Sequence, residues 1–257
     1  MRQFRHILSG KGFFFSFGLV FFILSSGAVN ASYMSIDVAE DNLSGFIFES
    51  EANNDPYSQF TKGVNAYQAA DYRLAARIFS ELAKTGYVNA QFYLGVMLDS
   101  GSGVEEDHVQ SAMWYHKAAV KGHVEAQYNL GIAYATGEGV NKNIQKAIYW
   151  MKKAALNGSV NSQYNLGLMY ILGEGVKVNM EEGILWWKLA AKNGDSIAQY
   201  NLGMIYMEGR GVESDVCEAS RWWQVSADNG YMQSKLALEH LRISLEQNSC
   251  VGMVSTR

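Results

Sequence analysis

From residue 59 onward, apolar side chains recur with the period of a helix, and the grouping itself recurs every 36 residues. Ala126, Leu130 and Tyr134 fall at i, i+4 and i+8, one stripe of a first helix, and Gly131 beside them leaves room for a neighbouring helix. Ala147, Trp150, Met151 and Ala154 fall at i, i+3, i+4 and i+7, the stripe of a second helix. Gly137-Glu138-Gly139-Val140 separates the two, and its glycines permit the positive φ that ends a helix. Asp107, Asn143, Asn179 and Asp215 stand where the second helices should begin, with Gln110, Glu182 and Glu218 three residues after the first, third and fourth, which are N-cap and capping-box signatures. Gly122, Gly158, Gly194 and Gly230 then close the second helices.

Four units follow one another without a gap: 90–125, 126–161, 162–197 and 198–233. The second and fourth share 15 of 36 residues, so the chain is an array. A shortened unit, 59–89, precedes them; its turn lacks four residues. Residues 234–246 repeat only the first helix and should cap the array, leaving 247–257 as a tail. Short loops force antiparallel hairpins, and one hairpin cannot bury its own apolar face. The expected fold class is therefore all-α, an α/α superhelical solenoid of stacked helix-turn-helix repeats, whose concave surface is lined by the first helices.

The pattern Ala-x-x-x-Leu-Gly-x-x-Tyr-x-x-Gly-x-Gly-Val, followed by Ala-x-x-Trp and Ala-Ala-x-x-Gly, resembles the Sel1-like repeat, a relative of the tetratricopeptide repeat. The resemblance covers residues 59 to about 246, and the shortened first unit is closer to a tetratricopeptide repeat. It implies an α/α solenoid that acts by binding proteins and does not name the partner. Cysteine-rich relatives described as penicillin-binding or β-lactamase-like keep a secreted cell-wall or β-lactam hydrolase as the alternative. Fold alone does not choose between them.

The amino terminus changes the picture of where this happens. Arg2, Arg5 and Lys11 precede the uncharged run Phe13–Leu24, and small and polar residues end in Val29-Asn30-Ala31. This reads as a secretory signal peptide, residues 1–31, cut after Ala31; the rival is an uncleaved anchor, although 12 apolar residues are short of the ~20 that a bilayer span needs. A periplasmic or secreted bacterial protein is expected, with membrane contact only through an uncleaved signal sequence. Residues 32–58 carry six acids and no base, with Phe46-Ile47-Phe48 as an apolar island, and read as a mobile acidic leader or a docking strip.

Beyond residue 31 the chain holds 18 basic and 25 acidic residues, a balance of −7 that argues against phosphate-backbone binding, so no nucleic-acid partner is expected. Catalytic chemistry finds little support, and the chain reads as non-enzymatic. No Ser is followed three positions on by Lys, and Lys84-Thr85-Gly86 matches a β-lactamase fragment only because Gly86 holds a helix-closing position. The glycine pairs lack the third Gly and the Lys-Ser/Thr of a phosphate loop. His108, His116, His123 and His240 have neither His-Glu-x-x-His spacing nor a nearby Cys; they read as solvated, and no metal or cofactor is expected. Lysines on the second helices, such as Lys117, Lys152 and Lys153, read as a solvated outer surface, and Trp186-Trp187 and Trp222-Trp223 as core.

Export permits a disulfide between Cys217 and Cys250, since the terminal helix should return to the edge where Cys217 begins a second helix; two free thiols or an interchain bond are the alternatives. Leu130, Gly131, Tyr134 and Trp150 and their equivalents are assigned to stacking. A partner protein or peptide should then meet a ladder of Phe92, Tyr128, Tyr164 and Tyr200 on the first helices. Beside it stand Asn129, Asn165 and Asn201, and one turn on come Ile132, Leu168 and Met204. Aromatic rings with amides suit an extended peptide. The competing reading is that the Tyr rings seal the next helix. Envelope signalling, assembly of a secretion or polysaccharide machine, and engagement of host proteins are all compatible with such a groove.

Overall fold

The computed structural model describes residues 55–244. Among these residues there are eleven helices and no strand. They are α1 Pro56–Gln68, α2 Tyr72–Thr85, α3 Val88–Ser100, α4 His108–Val120, α5 Val124–Thr136, α6 Ile144–Leu156, α7 Val160–Leu172, α8 Met180–Lys192, α9 Ser196–Glu208, α10 Val216–Asp228 and α11 Met232–Ser244. Within each unit, helices adjacent in sequence pack on one another, and the fold class is an all-α array of helix-pair repeats, an α/α solenoid. The chain divides into two compact units, one ending at Asn143 and one beginning at Ile144.

In the first unit, α1 begins at Pro56, three residues before the boundary drawn at 59. The Asp55 carboxylate accepts the backbone N–H of Tyr57 and Ser58 at 2.9 and 3.0 Å, and proline at the first helical position needs no N–H partner. Residues 55–58 therefore belong to the array and not to the leader. Gly63 meets the ring of Phe79 and Gly95 the ring of Tyr115; these slots lie 16 and 20 residues apart, the four-residue difference set by the short α1–α2 turn. Phe60, Phe79 and Tyr93 form the centre, with ring centroids 5.0–5.6 Å apart. The turn after α5 settles on the start of α4: a Cβ at Gly139 would collide with the carbonyl of His108. That contact, with a φ of +69° there, restricts the site to glycine.

In the second unit, α7 packs on α8 and α9 on α10, and α11 closes the last pair. Asn179 and Asp215 accept the N–H of Glu182 and Glu218 at 3.1 and 3.0 Å, the caps that the spacing predicts, and Asp107 does the same for Gln110 in the first unit at 2.9 Å. Leu166, Leu202, Trp187 and Trp223 are buried, and Leu238 and Leu241 of α11 cover Tyr200 and Trp223. The first helices start two residues ahead of the alanines used to draw the units, because the helix is nucleated by the preceding cap residue, Ser159 or Asp195. The last helix, α11, likewise starts at Met232 and not at 234. The expected signal sequence, the rest of the acidic leader and the tail lie outside the described residues, as does Cys250.

Candidate functional site

The first-helix ladder divides into two kinds of position. On α5, Ala126 and Leu130 face the core with exposures of 0 and 1%, while Tyr128, Asn129 and Ile132 are only half-buried. On α3, Phe92 is also half-buried and stacks on the His123 ring at 4.4 Å. These four can present atoms to a partner.

In the second unit the same ladder is mortar. Tyr164 and Tyr200 are each 8% exposed. Tyr164 stacks on Trp187 at 5.9 Å, and Tyr200 on Trp223 at 6.5 Å and against Tyr231 at 5.4 Å. Each indole donates its N–H to the carbonyl of the tyrosine below it, at 3.0 and 3.1 Å. Burial pushes both phenols up to about 12, so they stay neutral. Asn201 reaches the Tyr164 hydroxyl at 3.4 Å. Asn165 and Leu168 are buried as well, which leaves Asn201 and Met204 as the half-buried members of the predicted set in this unit. The rings here seal the neighbouring helix, because an indole on the facing helix is large enough to cover them.

The histidines also divide. His116 and His240 are exposed, as a solvated reading requires. His123 is not: its side chain is 13% exposed, and its Nδ1 accepts the Ala126 N–H at 3.3 Å, so it is the N-cap of α5. Burial pushes its pKa below the ordinary value, against a smaller opposing pull from Glu125, which keeps the cap unprotonated. His108 lies between Asp99 and Glu106, 3.0 Å from each. Lys117, Lys152 and Lys153 are exposed, with the Lys117 ammonium 3.8 Å over the Trp114 ring. Trp186, Trp187 and Trp223 are core, and Trp222 is half-buried. Cys217 lies in the first turn of α10, and the proposed clip depends on Cys250, outside the described residues.

A row of buried glutamines was not anticipated from the sequence. Gln91, Gln127, Gln163 and Gln199 are 1–4% exposed. Each donates its amide N–H to a carbonyl in the last turn of the preceding helix: Ala83, Ala119, Ala155 and Ala191, at 2.9–3.2 Å. They satisfy carbonyls that a helix end leaves without intrahelical partners. The signal was legible: a polar residue at the same position of every unit, inside an apolar stripe. A depression of about 310 Å³ also opens in the first unit between Val109, Met113 and Lys117 of α4 and Leu130 and Tyr134 of α5. Among the described residues no group of three or more His, Cys, Asp and Glu side chains is placed to hold a metal ion.

Comparison with known proteins agrees with this geometry. No curated protein matches the chain. Among solved structures it is similar to a protective antigen present in uropathogenic Escherichia coli strains, at 30% identity and a TM-score of 0.73. The match covers 76% of this chain and 43% of that one, so this chain spans less than half of the antigen's length. It is also similar to a Sel1 repeat protein from Oxalobacter formigenes, at 31% identity and a TM-score of 0.68, covering 72% of this chain and 76% of that one. The Sel1 repeat model matches residues 88–123, 124–159, 160–195 and 196–231, four windows whose first residues are those of α3, α5, α7 and α9. With more than half of its length in these repeats, the chain belongs to the Sel1 repeat family.

Proposed function

We propose that this protein is a non-enzymatic scaffold or regulator of the bacterial cell envelope that holds a partner protein or peptide on its first helices. Sel1 repeat proteins are in general protein-interaction scaffolds. The observation that carries the reading further is the half-buried trio on α5: Tyr128, Asn129 and Ile132 offer a ring, an amide and an aliphatic surface from one helix whose opposite side is fully packed. Export rests on the basic, apolar and small-residue order of the first 31 residues. The Cys217–Cys250 clip belongs to the same proposal; two free thiols in periplasmic material without reductant would remove it.

The test is capture from envelope extract by the mature protein. Tyr128→Ala with Asn129→Ala should lower recovery of the partner about tenfold or more, the effect of losing an interface hot spot, while helicity and melting stay at wild-type values. Unchanged recovery removes this surface. A second reading, a secreted factor that engages host proteins, draws on the similarity to the uropathogenic antigen. Fractionation separates them: retention in the periplasm supports the envelope role, and release into the medium the host role.

A further inference from the structure

The repeat formed by α3 and α4 differs from its neighbours at one connected set of positions. Asp99, His108, Ser111 and Tyr115 stand where the next repeats carry Ala135, Ile144, Ala147 and Met151, then Ile171, Met180, Gly183 and Trp187, then Met207, Val216, Ala219 and Trp223. An apolar solution was available to this repeat, and it holds a polar cluster instead. The cluster is incompletely satisfied: the Ser111 hydroxyl and the Tyr115 hydroxyl are buried without an aligned hydrogen bond, although Asn129, Ser111 and Asp99 surround the phenol. A repeat that departs from its own rule at a cost in stability marks a place with a task.

The geometry assigns that task to His108. Its Nδ1 is 3.0 Å from an Asp99 oxygen and its Nε2 is 3.0 Å from a Glu106 oxygen. Ionised carboxylates only accept hydrogen bonds, and a neutral imidazole has a single N–H. The Asp99 contact is a hydrogen bond that Nδ1 donates, and the Glu106 contact is an ion pair that exists only when the ring is doubly protonated. We infer that Asp99, Glu106 and His108 form a proton-dependent latch, which fastens the end of α3, the turn that follows and the first residue of α4 when the ring is charged, and loosens them when it is neutral.

The charged groups that face the ring are Asp99 from α3, Glu106 and Asp107 from the turn and Glu138 from the turn after α5; all are acidic. The bond to Asp99 is the largest influence and raises the ring's pKa against a smaller penalty from burial. A base whose folded pKa is raised stabilises the fold below its unfolded pKa, and that contribution is lost as pH rises through the folded value. The latch therefore holds at mildly acidic pH and opens on the alkaline side of the ordinary histidine range. Its position gives the opening a consequence, since the turn carrying Gly139 rests on the His108 carbonyl.

An internal control exists. The Asp107 N–H closes this turn on Leu98 O at 2.9 Å, and the Asp215 N–H closes the corresponding turn of the last repeat on Tyr206 O at 2.9 Å, with Met207, Ser214 and Val216 in place of the latch residues. Amide exchange followed by NMR on the mature protein, corrected for intrinsic rates, compares the two. Protection at Asp107 should fall about threefold or more between pH 6 and 9, while protection at Asp215 stays constant. His108→Gln should leave Asp107 weakly protected and insensitive to pH, and Asp99→Asn should bring the His108 midpoint back toward the ordinary value. Equal pH responses at the two amides, or a His108 midpoint at or below about 6.5, would overturn the latch.

Discussion

The slot between a first helix and its partner is filled in two ways. Against Gly203, Trp223 is 2% exposed, and its one polar atom bonds to Tyr200 O. Against Gly95, Tyr115 is equally buried at 2%, yet its hydroxyl has no aligned partner and sits beside a carboxylate. Burial pushes that phenol's pKa far up, so it stays neutral and contributes a hydroxyl rather than a charge. Equal burial thus conceals unequal energetics: one repeat is built to be stable, the other tolerates an unsatisfied group beside a titratable one. In an array whose repeats depend mainly on their neighbours, such local weakness stays local.

Trp223→Ala should separate the two slots most strongly. It should cost about 3–5 kcal/mol in denaturant unfolding, from a lost indole, a cavity and an unpaired carbonyl. Gly203→Ala comes next, since its Cβ would run into the Trp223 ring; about 1–3 kcal/mol is expected, whereas Gly95→Ala should cost less because its new contact with the smaller Tyr115 ring is 2.7 Å. Below these comes the cap of α5. His123 has a folded pKa below its unfolded one, so its contribution is present above the unfolded value and lost as pH falls from there. Melting curves at decreasing pH should show that loss, about 1 kcal/mol of capping, and His123→Ser, the cap that α7 already uses, should abolish the acid sensitivity. The smallest effect is the most telling. Tyr115→Phe should raise stability slightly, by less than about 1 kcal/mol, because it removes a buried hydroxyl that has no aligned hydrogen bond. A loss as large as that of Trp223→Ala would mean the two slots are equivalent after all.

Acid and alkali should also act at different ends of the repeat. His123 weakens as pH falls and His108 as it rises, because one ring serves as an acceptor and the other as a cation between two carboxylates.

Helix pairing, period and the caps Asp107, Asn179 and Asp215 were legible in the chain, because they depend on spacing within a few residues of sequence. The outer lysines and the buried Trp186, Trp187 and Trp223 followed from the same periodicity, whereas Trp222, assigned with them to the core, is half-buried. Half of the expected ladder did not survive: Tyr164 and Tyr200 occupy the same repeat position as Tyr128, yet only the tertiary structure places Trp187 and Trp223 over them. Whether a side chain on a helix faces a groove or a neighbour is decided by the size of what packs opposite, and local pattern carries no record of that. The ring of His108 between two carboxylates is of the same kind. Its three members span ten residues that read in sequence as an ordinary polar turn, and they become one device only when the turn brings Asp99 and Glu106 to opposite edges of the imidazole.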